Sequence, residues 1–280
     1  METIYRIMEA LLPFEYMRYD FMKNALLAVL LITPLFGLVG TMIVNNRLAF
    51  FSDALGHSAL TGMAVGVLLG VTDASLAMVL FAVLFALLLN GIRHSGIVAS
   101  DTVISVFASL STAAGLVILS RGGSFSRYSA LLVGDILSIA PAELFRLLLV
   151  LIAALLFWGA AFNRLHAVSL NASLAKSKRI PVALVDNLFV VLIAVIVMLS
   201  IRWVGILIIN ALLILPAASA RNLAANMREY HLFSLLFSVF SGILGLLLSY
   251  YLNMAAGPMI AVIAALLFFA TVLVRPAVKS

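Results

Sequence analysis

Cysteine is absent from this chain of 280 residues, which excludes disulfides, thiolate metal sites and cysteine nucleophiles. Charge is scarce: Asp, Glu, Lys and Arg make up only 10% of the residues, against roughly a quarter in soluble domains. No GxxxxGKS or GxxxxGKT stretch occurs, so the chain is not itself a P-loop ATPase. HExxH and GxSxG are missing too, which removes support for the usual membrane metalloprotease and serine hydrolase. A cleavable signal is also not expected. The first residues carry Glu2, Arg6 and Glu9, and no short apolar run there ends in a small-residue cleavage site.

What is present is hydrocarbon. At 65% hydrophobic residues, the chain holds more apolar side chain than a soluble core can bury, and the class is an all-α polytopic membrane protein. The net charge of +6 then reads as Lys and Arg held in cytoplasmic loops, with no nucleic acid as partner. Residues 1–24 mix charges with Phe14, Tyr16, Tyr19 and Phe21 and read as an interfacial N-terminal segment. Residues 25–280 read as a single transmembrane domain. Segments 25–44, 51–71, 74–91, 102–120, 144–162, 182–201, 204–220, 232–251 and 258–274 predict about eight to nine spans. Basic residues at 164–179, at Arg221 and Arg228, and at Arg275 and Lys279 fall on one side of this arrangement, which puts that side in the cytoplasm. Pro34 should kink the first span, and Pro216 should free the carbonyl of Leu212 in the seventh. In 121–141, Asp135 is expected near the start of a short helix. The stretch 163–181 is basic, helix-compatible around 172–178, and reads as a cytoplasmic amphipathic segment.

The stretch with the most chemistry is LAFFSDALGHSALTGMAVGVLLG at 48–70. Asp53 and His57 stand four apart, on one helix face. Both are costly to leave unpaired in hydrocarbon. Carboxylate oxygen and imidazole nitrogen suit Zn²⁺, Mn²⁺ or Fe²⁺ as metal ligands. Two ligands are too few for a storage site but fit a point that must release its ion. The plainer alternative makes Ser52 or Asp53 a helix N-cap and His57 a packing residue. Beside them, Ala54, Ser58, Gly62, Gly66 and Gly70 recur every four residues, a pattern for close helix packing. Asn210, Pro216 and Ser219 are further candidates to line a path. Asp186 and Asn187 read as interfacial, and His94, His166 and His231 as loop or span-end residues.

Five stretches in order resemble the permeases of ATP-binding-cassette importers for zinc, manganese or iron: NNRLAFFSDALGHSALTG, DTVISVFASLSTAAGL, LLVGDILSI, VGILIINALLILPAASAR and SYYLNMAAGP. The resemblance implies a permease fold similar to the cobalamin-type importers, in the cell membrane as a multi-pass protein. It implies a homodimer, two cytoplasmic ATP-binding subunits and an extracytoplasmic metal-binding protein as partners. The chain itself would do no bond chemistry and hold no cofactor, the metal being cargo, with zinc put before manganese and iron. Asp53 and His57 match the acid and histidine that bind metal in this family. The family's coupling segment, close to FDPELAKAxGI, matches LNASLAKSKRI at 170–180. Asn171 and Ser173 replace its acids and Arg179 its glycine, while Lys176 matches its lysine and Lys178 stands at its variable position. The rival function is a proton-coupled secondary metal transporter that works without an ATPase.

Overall fold

A computed structural model describes residues 2–11, 15–71, 73–94, 99–121 and 130–279. All regular structure among the described residues is helical. In order these are α1 (Glu2–Leu11), a 3-10 turn (Glu15–Arg18), α2 (Asp20–Asn45), α3 (Ala49–Leu68), α4 (Ala74–His94) and α5 (Ser100–Arg121). There follow α6 (Ala130–Val133), a 3-10 turn (Ile136–Ser138), α7 (Pro141–Leu170), α8 (Ala172–Ser177), α9 (Val182–Val204), α10 (Ile206–Leu223), α11 (Met227–Leu252) and α12 (Ala256–Lys279). Phe14, and the glycine-rich start of 121–141, lie outside the described residues.

Each of the nine expected segments falls on one of these helices, but the helices are not alike. Seven of them (α2, α4, α5, α7, α9, α11 and α12) are long and apolar enough to cross a membrane. α10 carries a shorter apolar stretch, Ile208–Leu223. α3 has 20 residues but interrupts its apolar sequence with Ser52, Asp53, His57 and Ser58. The fifth segment is longer than expected: α7 runs 30 residues, to Leu170, and takes in the first part of the basic stretch. The protein is an all-α, multi-pass membrane protein.

The chain divides into two compact units. One consists of residues 1–41, 133–152 and 202–280. In it α10, α11 and α12 pack on one another. Small residues on α11 let other helices close in. A β-carbon on Gly245 would overlap the backbone of Ile260, and one on Gly242 would strike Thr33. Ser234 and Ser238 donate across to the carbonyls of Gly37 and Thr33, both at 2.7 Å. α2 runs as one helix through Pro34. At the N-terminal end, Lys23 is buried and meets two carboxylates, Glu9 and Asp20, with its ammonium 5.1 Å from the Tyr5 ring centroid. A buried ammonium needs such partners, and through them α1 is held to the start of α2.

The turn after α6 is a tight point of this unit. Gly134 and Gly205 both have positive φ, +72° and +93°. A β-carbon on either would overlap the other's strand of backbone. Asp135 caps the short 3-10 turn, accepting from the Leu137 amide at 3.1 Å, close to the placement the sequence suggested.

The second unit consists of residues 42–132 and 153–201. α3 packs against both α4 and α5. A β-carbon on Gly62 would come within 3.1 Å of the Met78 backbone, and one on Gly66 would overlap Ala77. On the α5 side, a β-carbon on Gly115 would lie 2.8 Å from the Thr61 amide nitrogen. Thr61 donates to the Ser111 carbonyl, and Ser111 donates to the Thr61 hydroxyl at 3.1 Å. Gly70 leaves the expected stripe. It sits at φ +69°, with nothing near its missing side chain, and ends α3: Val71 N–H donates to Gly66 O at 2.9 Å and Gly70 N–H to Val67 O at 3.2 Å. That is a Schellman stop, which favours glycine.

Candidate metal pathway

α3 begins at Ala49, with Leu48 at the N-cap and no side-chain capping bond. Ser52 and Asp53 therefore lie inside the helix, and the N-cap alternative fails. The Ser52 hydroxyl donates to the Ala49 carbonyl at 2.9 Å instead. Asp53 and His57 share a face: Oδ2 and Nε2 are 3.8 Å apart, with the side chains 44% and 32% exposed. Ala54 and Ser58, one residue further round, are fully buried. The small-residue face is thus spent on neighbouring helices, while the acid and the imidazole stay accessible on the adjoining face.

The space they open onto is a cavity of about 560 Å³ between α3 and α5. α3 supplies Phe50, Asp53 and His57 to its wall; α5 supplies Ser105, Ser109 and Thr112 among apolar residues. Those three α5 positions are spaced i, i+4, i+7, so one stripe of α5 lines the cavity. The sequence reading missed them, although the spacing is visible in DTVISVFASLSTAAGL. Without α5 paired to α3, a serine in an apolar helix gives no sign of which way it faces. Among the described residues no three His, Asp or Glu side chains converge to hold a metal. Asp53 and His57 are a two-donor pair.

The other expected path residues belong to the first unit. Pro216 lies inside α10. Ser219 is buried and returns its hydroxyl to the Leu215 carbonyl at 2.8 Å. Asn210 is partly buried on the same helix and is hydrogen-bonded or otherwise engaged.

The coupling-like segment forms its own short helix. Asn171 caps α8, accepting from the amides of Ser173 and Leu174 at 3.0 and 3.1 Å. Asparagine thereby does the capping work that an acid does equally well. Ala175 is buried, whereas Ser173, Lys176, Lys178, Leu170 and Leu174 are exposed. Arg179 sits in the left-handed region, at φ +59°. Its N–H donates to Lys176 O at 2.9 Å, and that of Ile180 to Ala175 O at 3.1 Å, which closes a second Schellman stop. The position that holds glycine in the resembling segments is therefore one with positive φ, here occupied by an arginine.

Asp186 is buried within the protein. Its Oδ2 accepts from Asn90 Nδ2 at 2.9 Å and from Arg93 at 3.2 Å, with His94 Nε2 at 3.5 Å. Asn90 Nδ2 also donates to Asn187 at 2.8 Å. The last turn of α4 and the first turn of α9 are pinned by this cluster. Asn90, Arg93 and His94 at i, i+3, i+4 mark a polar corner of α4; which helix answers it depends on the tertiary pairing.

The sequence pattern that defines the ABC 3 transport family matches residues 18–275. The chain belongs to that family. It is similar to the manganese import system permease protein ScaB of Streptococcus gordonii, 28% identical over 258 residues that cover 92% of each chain. It is similar to the high-affinity zinc uptake system membrane protein ZnuB of Haemophilus influenzae, 29% identical over 256 residues, 89% of this chain and 96% of that one. Among solved structures it resembles PsaBC from Streptococcus pneumoniae, determined in complex with Fab, with a TM-score of 0.81 and 28% identity over 97% of this chain and 95% of the other. As a member of the ABC 3 family the chain is an integral permease subunit of the cell membrane and is not itself catalytic.

Proposed function

We propose that this permease moves a divalent transition-metal ion, manganese or zinc, inward across the membrane, driven by ATP hydrolysis in separate cytoplasmic subunits. The observation that carries this reading is the accessible Asp53–His57 pair, 3.8 Å apart, on the wall of a cavity of about 560 Å³. An oxygen and a nitrogen donor suit either ion. Relatives named for manganese import and for zinc uptake both support the cargo class. Two donors hold an ion without enclosing it, and water, together with a second copy of the chain, would complete the shell. An extracytoplasmic metal-binding protein would deliver the ion. The α8 segment, with Asn171 as its cap, Ser173, Lys176 and Lys178 exposed and the apolar Leu174 beside them, would lie in a groove of the ATPase. Asn210, Pro216 and Ser219 would serve the path from α10.

The test is metal accumulation. Asp53→Ala and His57→Ala should each lower uptake of Mn²⁺ or Zn²⁺ by about tenfold or more, the loss expected when a charged or imidazole ligand is removed, while the amount of protein in the membrane is unchanged. Normal accumulation by both variants would remove the pair from the path. Transport by the purified chain in liposomes without any ATPase would favour the proton-coupled rival.

A further inference from the structure

Ser105 and Ser109 are exposed hydroxyls on the stripe of α5 that lines the cavity. A serine or threonine in an apolar helix ordinarily turns its hydroxyl back to a carbonyl three or four residues earlier. Thr33, Ser58, Ser120, Ser219, Ser241 and Ser249 all do so here. Thr112, on the same α5 stripe, does so as well, to Ala108 at 2.8 Å. Ser105 and Ser109 are both exposed, and both line the cavity of Asp53 and His57. Four residues apart on a helix, they stand about 6 Å apart along its axis.

Resting on the metal-path reading above, we propose that Ser105 and Ser109 are positioning residues that hold the water ligands of the passing cation. Two protein donors leave a divalent ion most of its hydration shell. Water on a divalent cation is a strong hydrogen-bond donor, and an exposed serine oxygen is a ready acceptor. Six waters at about 30 Å³ each fit within the cavity of about 560 Å³. The ion crosses this point hydrated, with Asp53 and His57 on one wall and two hydroxyl steps on the other.

The natural lack of cysteine allows a direct test in membranes containing the full chain. Ser105→Cys and Ser109→Cys each introduce a single thiol. A charged methanethiosulfonate should modify both, and Mn²⁺ at twice its Kd should slow that reaction about threefold, as one-site competition requires. Val106→Cys and Leu110→Cys, on exposed positions of α5 outside the cavity, should not react. Unreactive thiols at 105 and 109, or reaction indifferent to Mn²⁺, would overturn the proposal. In parallel, the Ser105→Ala, Ser109→Ala double variant should take up Mn²⁺ at limiting concentration about tenfold more slowly, two hydrogen bonds' worth. The double threonine variant, which keeps both hydroxyls, should retain uptake. If Asp53→Ala abolishes uptake while the double alanine variant is normal, the serine assignment alone fails. If Asp53→Ala is also normal, the metal-path reading fails with it.

Discussion

Backbone conformation at single residues decides more here than side-chain chemistry. Gly205 and Gly134 combine positive φ with backbone packed where a β-carbon would stand. Gly205→Ala should therefore cost at least about 1–3 kcal/mol from the dihedral alone, with the overlap added to it. A lower unfolding temperature in detergent and poor recovery from membranes are the expected readouts. Arg179 presents the opposite case. It adopts φ +59°, which an L-residue does at a cost of roughly 1–2 kcal/mol. Arg179→Gly should raise the unfolding temperature slightly and leave the α8 helix in place; a fall would mean that the guanidinium makes a compensating contact. The sequence carries this information unevenly. Gly205 stands between Val204 and Ile206 in an apolar run and looks like packing. Asp53 and His57 are legible because two costly groups share one face of an apolar helix, and hydrocarbon has no other use for them.

At the scale of the element, helix pairs are held by two devices. One is absence of side chain, as where Gly62 and Gly66 admit α4 to α3 and Gly115 admits α5. Gly62→Leu should separate α3 from α4 and lower both stability and transport. The other device is the buried polar pin. Asp186 collects Asn90, Arg93 and His94 on one carboxylate oxygen. Removing one charge strands the other: Arg93→Ala or Asp186→Ala should destabilise by about 3–5 kcal/mol, whereas replacing both with apolar residues should restore most of that loss. Thermal unfolding of the single and double variants measures the coupling directly. The small-residue spacing in α3 was readable except at its end, where Gly70 stops the helix. Asp186 was not readable. Four residues into a span after Pro181, it has the address of a headgroup contact, and only the return of α4 beside α9 makes it internal.

For the whole molecule, the two compact units divide the expected roles unequally. Asp53 and His57, the cavity, the Asp186 pin and α8 all belong to one unit; Asn210, Pro216 and Ser219 belong to the other. The coupling reading predicts that deleting residues 171–178 leaves insertion intact and ATP hydrolysis by the partner subunits running, while metal transport stops. Transport that survives the deletion would end that assignment. The two-donor arrangement of Asp53 and His57 also bears on how long an ion stays. Structural zinc sites bind with about 10–16 kcal/mol; at an arrival rate near 10⁷ M⁻¹s⁻¹, the tighter of these would keep an ion for about a day. A micromolar well, about 8 kcal/mol deep, empties in roughly a tenth of a second at the same arrival rate. On the proposed metal path, shallow grip at this step would keep dwell time within the pace of a pump.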